Sequence, residues 1–210
     1  MNTAPALKSR QRRLKHEDRR QQLIETTILC LAKYGPQGTG VRQVCRELGV
    51  APSLVNYFFD GRNDLLLNAY QLLSQNFLAS LKETVEQEHD GPEECIRAIF
   101  SFYFANEWFD DTVVGAYIAL WALSRTEIDL KAAMSGFHHS QKEALLEPLA
   151  KFAKLRQVSG IDIDLMANCL VAFLTGLWLE MSLNPGNIPV QTALQMSWAW
   201  MDGNFRPTTA

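Results

Sequence analysis

The chain has 210 residues, 47% hydrophobic and 20% charged, the balance of an ordinary globular protein built as one large domain or as a small one joined to a larger one. No signal peptide and no uninterrupted apolar run of about 18 residues is visible, which points to the cytoplasm and away from the membrane. The formal net charge of −3 conceals a division, since residues 1–62 carry 11 Lys and Arg against 5 Asp and Glu, while residues 63–210 carry 9 against 18; only the N-terminal end suits a polyanion, either DNA or an anionic membrane surface.

Met1 to His16 reads as a disordered basic arm, because Lys8, Arg10, Arg12, Arg13 and Lys15 stand among few apolar residues and the segment has little to bury. Such an arm can track phosphates or remain a solvated tail. Asp18 to Tyr34 is predicted helical: Leu23, Ile24, Thr27, Ile28, Leu31 and Ala32 trace one apolar stripe, and Gly35-Pro36 ends it.

The stretch Val41 to Phe59, VRQVCRELGVAPSLVNYFF, reads as two short helices joined by a tight turn. Val41, Val44, Cys45 and Leu48 fall at i, i+3, i+4 and i+7 and give the first helix one apolar face. Gly49 is a stop that tolerates positive φ, and Pro52 suits the first position of the second helix, where its missing N–H has no intrahelical partner. Leu54, Val55, Phe58 and Phe59 are the apolar positions of that helix; Ser53, Asn56 and Tyr57 are its polar ones. Two helices with a glycine-containing turn have the geometry of a DNA-binding helix-turn-helix, although any pair of small packed helices shares the pattern.

Arg62 opens a long helix expected to reach about Glu88. A cation at a helix N-terminus opposes the helix dipole by a few tenths of a kcal/mol; a phosphate contact gives one reason for it, an incidental surface arginine another. Further helices are expected over Glu93–Trp108, Thr112–Leu123, Thr126–Gln157 with Pro148 kinking or breaking it, Leu165–Leu183 and Val190–Asp202. No strand pattern appears. The fold class expected is all-α with about nine helices: an N-terminal three-helix helix-turn-helix DNA-binding domain, residues 1–62, and a larger C-terminal helical domain, residues 63–210.

The segment VRQVCRELGVAPSLVNYFFDGRNDLL, residues 41–66, resembles the TetR family of transcriptional regulators. The apolar helix, Gly49-Val50, the aromatic run Tyr57-Phe58-Phe59, the turn, and a basic residue before Leu65-Leu66 follow the family's order. The run LVNYFF and Gly176-Leu177-Trp178-Leu179 are most similar to its choline-responsive BetI-type subgroup. Ala51 and Ser53 depart from the family's usual Ser and Gly, and Arg62 from its usual Lys; Ala51 forgoes a cap worth about 1 kcal/mol. The resemblance implies that Pro52, Ser53, Asn56 and Tyr57 face the major groove, with Asn56 able to pair bidentately with adenine. It makes Thr39, Arg42, Tyr57 and Arg62 candidates for phosphate contacts. It further implies a homodimer on a palindromic operator, most simply a repressor, released by a small-molecule effector.

Residues 63–210 then have two tasks. The helix Asp164–Leu183 is apolar nearly all round and, with the last helix carrying Met196, Trp198 and Trp200, can form half of an intersubunit four-helix bundle. Aromatics crowd the stretch from Phe100 to Trp121. They serve either as ordinary core or as the lining of a ligand cavity, for which Phe104, Trp108, Tyr117, Trp121 and Trp178 are the candidates. An aromatic cage suits a quaternary ammonium or other organic cation, with Glu107 or Glu180 as counter-charge. Cys30, Cys45, Cys95 and Cys169 have no CxxC pairing and read as free thiols. No catalytic triad, phosphate-binding glycine loop or metal-ligand spacing is visible around His16, His89, His138 and His139, so an enzyme is not expected, nor a cofactor or metal. His138 and His139 near Glu143 suit a two-residue metal site or, more simply, a solvated pair. The competing reading is a helical adaptor or ligand-binding protein without DNA binding, which would leave the charge division unexplained.

Overall fold

The computed structural model describes residues 4–207, with side chains from residue 16 onward. The described residues form nine α-helices and one short 3-10 turn, with no strand among them. In chain order these are α1 (Ala4–Gly38), α2 (Val41–Leu48), α3 (Pro52–Phe58), α4 (Arg62–Glu86), α5 (Pro92–Tyr103), the turn Asn106–Phe109, α6 (Asp111–Leu123), α7 (Ile128–Leu155), α8 (Ile163–Leu183) and α9 (Val190–Asn204). All-α is the expected class.

Three expectations change. Helix α1 begins at Ala4, twelve residues before His16, in place of a disordered arm; Ala, Leu, Lys, Arg and Gln dominate that stretch and are strong helix formers with no glycine to interrupt them. The helix expected to run to Trp108 ends at Tyr103, and a separate 3-10 turn follows. Pro148 lies inside α7, which continues through it to Leu155. By contrast, Gly35 (φ 68°, ψ −174°) interrupts α1 just before Pro36, where the sequence places the stop.

The chain divides into two compact units, one of Met1–Leu73 with Asp111–Ala133 and one of Ser74–Asp110 with Met134–Ala210. The first unit is therefore larger than segment 1–62, because α6 packs along α1. Close approach is possible there because Gly115 of α6 faces Ala32 of α1: a Cβ added at Gly115 would lie 2.9 Å from the Ala32 Cα. The core of this unit holds Leu23, Ile24, Leu31, Val44, Cys45, Val55, Phe59, Leu65, Leu66 and Leu120, all buried. Tyr70 and Tyr117 meet edge-on inside it, with centroids 6.3 Å apart.

In the second unit, α5 packs on α9 and the core holds Leu81, Ile96, Ile99, Phe100, Leu145, Leu149, Phe152, Leu170, Leu174 and Phe205. The buried Tyr103 hydroxyl donates to Gln141 Oε1 at 2.9 Å. Helix α8, 21 residues long, meets the length and composition of a membrane-crossing helix, although Asp164, Asn168 and Glu180 interrupt its apolar run. Its Leu170, Val171, Leu174 and Leu177 are buried within the unit, while Leu165, Cys169, Ala172, Gly176 and Leu183 on the opposite side are exposed. Cys30 and Cys45 are buried, Cys95 half-buried, and all four cysteines are free.

Candidate functional site

The helix pair is built as its residues dictate. Gly49 adopts φ 70°, ψ 36°, and two bonds close the end of α2: Gly49 N–H to Arg46 O at 3.4 Å and Val50 N–H to Cys45 O at 3.0 Å. That is the Schellman pattern, which only a residue tolerant of left-handed backbone supports without strain. Ala51 then enters α3 in extended conformation with no side-chain cap, and Pro52 occupies the first turn. Val55 and Phe59 are buried and Leu54 and Phe58 half-buried, so one side of α3 is fixed against the unit. Pro52, Ser53, Asn56 and Tyr57 fall on the opposite side at i, i+1, i+4 and i+5, and all four are exposed, Tyr57 by 69%. Arg42 on α2 is exposed as well. This is the surface a major groove can receive: a short helix with hydrogen-bonding tips outward.

Thr39 and Arg62 are engaged internally instead. Thr39 is 1% exposed and its hydroxyl donates to Gly35 O at 2.8 Å. Arg62 donates from Nε to Thr39 O at 2.9 Å and from Nη2 to Pro36 O at 2.7 Å. These carbonyls belong to the α1–α2 connection, where the kink at Gly35 and the interruption before α2 leave backbone acceptors unused by helix. A cation at the start of α4 thus has acceptors that offset the unfavourable dipole. Both residues, expected at phosphates, hold this connection in the free chain.

Among the aromatic candidates, Phe104, Trp108 and Trp178 lie in the second unit, and Tyr117 and Trp121 in the first. Trp178 Nε1 donates to Trp108 O at 2.9 Å, joining α8 to the 3-10 turn. Phe77 sits amid Phe102 (4.9 Å), Trp108 (4.9 Å), Tyr103 (5.3 Å) and Phe137 (5.5 Å), so Trp108 belongs to a packed aromatic cluster. Its own Nε1 is a buried donor without a hydrogen-bond partner. In the first unit, the Tyr117 and Trp121 rings are 6.5 Å apart, and burial pushes the Tyr117 phenol far up. Of the two expected counter-charges, Glu107 is exposed, and Glu180 Oε1 accepts from Asn184 and Asn187 at 3.0 Å each, tying down the turn after α8. An open polar cleft of about 400 Å³ in the second unit is lined by residues including Glu88, His89, Glu94 and Arg97 and by none of the aromatic candidates. His138 faces Asn168 at 3.4 Å and His139 lies 3.9 Å from Glu143; no group of three or more metal-ligating side chains occurs among the described residues.

A family model for bacterial regulatory proteins of the tetR family matches residues 23–69, and a model for the C-terminal part of BetI-type transcriptional repressors matches residues 92–205. The chain belongs to the TetR family. It is a transcriptional regulator of helix-turn-helix type, and its C-terminal part is of the BetI kind. The HTH-type transcriptional regulator BetI of Vibrio campbellii is 25% identical over 179 residues, covering 84% of this chain and 87% of that protein. A solved structure from Pseudomonas aeruginosa PAO1, assigned as a transcriptional regulator, superposes with a TM-score of 0.84 at 30% identity, covering 90% of this chain and 91% of the other. A Saccharomonospora viridis protein assigned the same role and solved in complex with choline shares the fold, with a TM-score of 0.75 at 16% identity, covering 90% and 97%.

For this TetR-family regulator, sequence reasoning overlooked one group beside the reading helix. Arg20 of α1 stands over the Phe59 ring at 5.1 Å and donates to Asn68 of α4, and His16 one turn earlier lies against Tyr57 and Phe58. The i, i+4 spacing of His16 and Arg20 places them on one face of α1. Their partners are more than 38 positions away, which no local pattern reveals.

Proposed function

We propose that this regulator represses transcription by docking α3 in the major groove of a palindromic operator as a two-fold dimer, and that an organic cation releases it. In this reading residues 1–62 form the DNA-binding segment and residues 63–210 the effector-binding and dimerisation segment, acting in the cytoplasm. The observation that carries it is the exposed face of α3: Pro52, Ser53, Asn56 and Tyr57 point outward while Val55 and Phe59 anchor the helix from behind. Asn56 and Ser53 read base edges. Arg42 and Tyr57 bond phosphate, and Thr39 and Arg62 hold the connection that aims α2.

The effector reading rests on the second unit's aromatic residues Phe104, Trp108 and Trp178. Aromatic faces attract a quaternary ammonium by cation–π interaction, and the buried Trp108 N–H suits an acceptor on the same molecule. The choline bound by the S. viridis neighbour is of that class. Because α4 continues from Arg62 to Glu86, a displacement of it by ligand would alter the spacing of the two reading helices of a dimer. Half-sites lie about one helical turn, ~34 Å, apart or a multiple of it, so a small pivot breaks simultaneous docking.

The test is selection of duplexes from a random and a genomic pool, followed by affinity measured across salt. Palindromic enrichment, with log affinity falling by ~0.9 per phosphate contacted for each decade of salt, is expected. Failure to enrich any site would favour the helical adaptor. Calorimetric titration with choline and glycine betaine addresses the effector: absence of heat with both disposes of the cation, and an unchanged operator affinity at saturation disposes of the coupling.

A further inference from the structure

We propose that His16 is a positioning residue for DNA recognition, holding the Tyr57 ring in the orientation that α3 presents to the duplex. The proposal rests on the reading of Tyr57 as a DNA contact and adds a residue from outside the helix-turn-helix.

Tyr57 projects from a helix of seven residues and is 69% exposed, the setting in which an aromatic side chain exchanges among rotamers. Here its ring is held from two sides. The His16 ring meets it edge-on, centroids 5.5 Å apart at an interplanar angle of 75°, and Phe58 meets it at 5.0 Å and 87°. His16 and Phe58 close the triangle at 4.6 Å and 61°. All three pairs have the edge-to-face arrangement that the ring quadrupoles favour. Phe58 is a neighbour in sequence and comes with α3 itself, whereas His16 is brought from α1 by the packing of the unit. Arg20, one turn on, fixes that packing through the Phe59 ring and Asn68. Two successive turns of α1 therefore grip the run Tyr57-Phe58-Phe59. Ordering the Tyr57 ring before DNA arrives removes a side-chain entropy cost from docking, which appears as affinity without a new contact to DNA.

This arrangement separates positioning from direct contact. A ring that acts through Tyr57 needs shape and no charge. An imidazolium that meets a phosphate itself would displace a counterion and steepen the salt dependence.

The experiment uses the full chain and a fluorescein-labelled duplex enriched by the wild type from a random pool, with anisotropy titrations at several salt concentrations. The variants are His16→Ala, His16→Phe, Tyr57→Ala and the double His16→Ala/Tyr57→Ala. His16→Ala is expected to weaken binding about three- to tenfold, the scale of one edge-to-face pair, at an unchanged salt slope. His16→Phe should restore most of that loss, and the double variant should bind no more weakly than Tyr57→Ala. If Tyr57→Ala binds as the wild type does, the reading of Tyr57 as a DNA contact fails and this proposal goes with it. If Tyr57→Ala weakens binding while His16→Ala does not, or if the two losses multiply in the double variant, His16 has no positioning role. A salt slope lowered by about one in His16→Ala, unrescued by His16→Phe, would make His16 a phosphate contact and overturn the proposal.

Discussion

Arg62 ties the start of α4 to the α1–α2 connection, since its guanidinium bonds the carbonyls of Pro36 and Thr39. Hydrogen bonds from a charged donor are worth about 1.5–3 kcal/mol each, and carbonyls left without a partner add to the loss. Arg62→Ala is expected to destabilise the chain by about 2 kcal/mol in urea unfolding and to weaken DNA binding through the placement of α2. Arg62→Lys should recover part of the stability, because an ammonium cannot reproduce the guanidinium fork. Tyr34 and Glu47 make a second such tie, from α1 to α2. The Tyr34 hydroxyl donates to Glu47 and holds its carboxyl below the usual carboxylate range, and Lys33, 3.7 Å away, adds to the effect. A carboxyl depressed in the folded state contributes stability above its unfolded pKa and loses it as pH falls through the folded value. Tyr34→Phe should move the Glu47 titration back up toward the ordinary value, as followed by NMR, and narrow the acid window over which this contribution is lost. If the Glu47 titration does not move, the Tyr34 hydroxyl is not its cause.

At the scale of elements, the pairing of α1 with α6 places residues 111–123 in the unit that holds the reading helix. The contact depends on the absence of a side chain at Gly115, where a Cβ would stand 2.9 Å from the Ala32 Cα and 3.2 Å from its Cβ. The obstructing atoms are backbone and the root of a side chain, which cannot rotate away. Gly115→Ala is therefore expected to cost about 1–3 kcal/mol, the range for overpacking, despite the better helix propensity of alanine. Thermal unfolding measures it, and a stabilised variant would show that the two helices separate freely. Helix α3 illustrates a different economy. Without a side-chain cap at Ala51 and with seven residues, it is too short to persist alone, and Val55, Phe59 and the α1 grip supply what propensity does not.

At the scale of the whole molecule, the outer side of α8 carries exposed Leu165 (52%), Cys169, Ala172, Gly176 and Leu183, and α9 exposes Val190 and Met196. An apolar stripe of this length with small residues in its middle suits self-association of two copies, as the dimer proposal requires. Ala172→Glu combined with Met196→Glu should convert a dimeric sedimentation profile to a monomeric one and weaken operator binding; a wild type that sediments as a monomer would remove the dimer from the proposal. Much of this was legible beforehand. The periodicity of Leu23–Leu31, the left-handed stop at Gly49, Pro52 opening α3 and the all-helical class follow from local rules, because a helix's hydrogen bonds and its apolar face are both short-range in sequence. So did the outward set Pro52, Ser53, Asn56 and Tyr57, since spacing of one and four residues fixes which side chains share a face. Other features were decided only by the tertiary structure. Arg62 turned inward because acceptors 23 and 26 positions away were brought beside it. Glu180 holds a turn, and His16 meets Tyr57 across 41 positions. Composition and pattern determine which elements form and which faces are apolar. Where a long polar side chain finds its partner depends on which helices pack together, and that information lies in the fold.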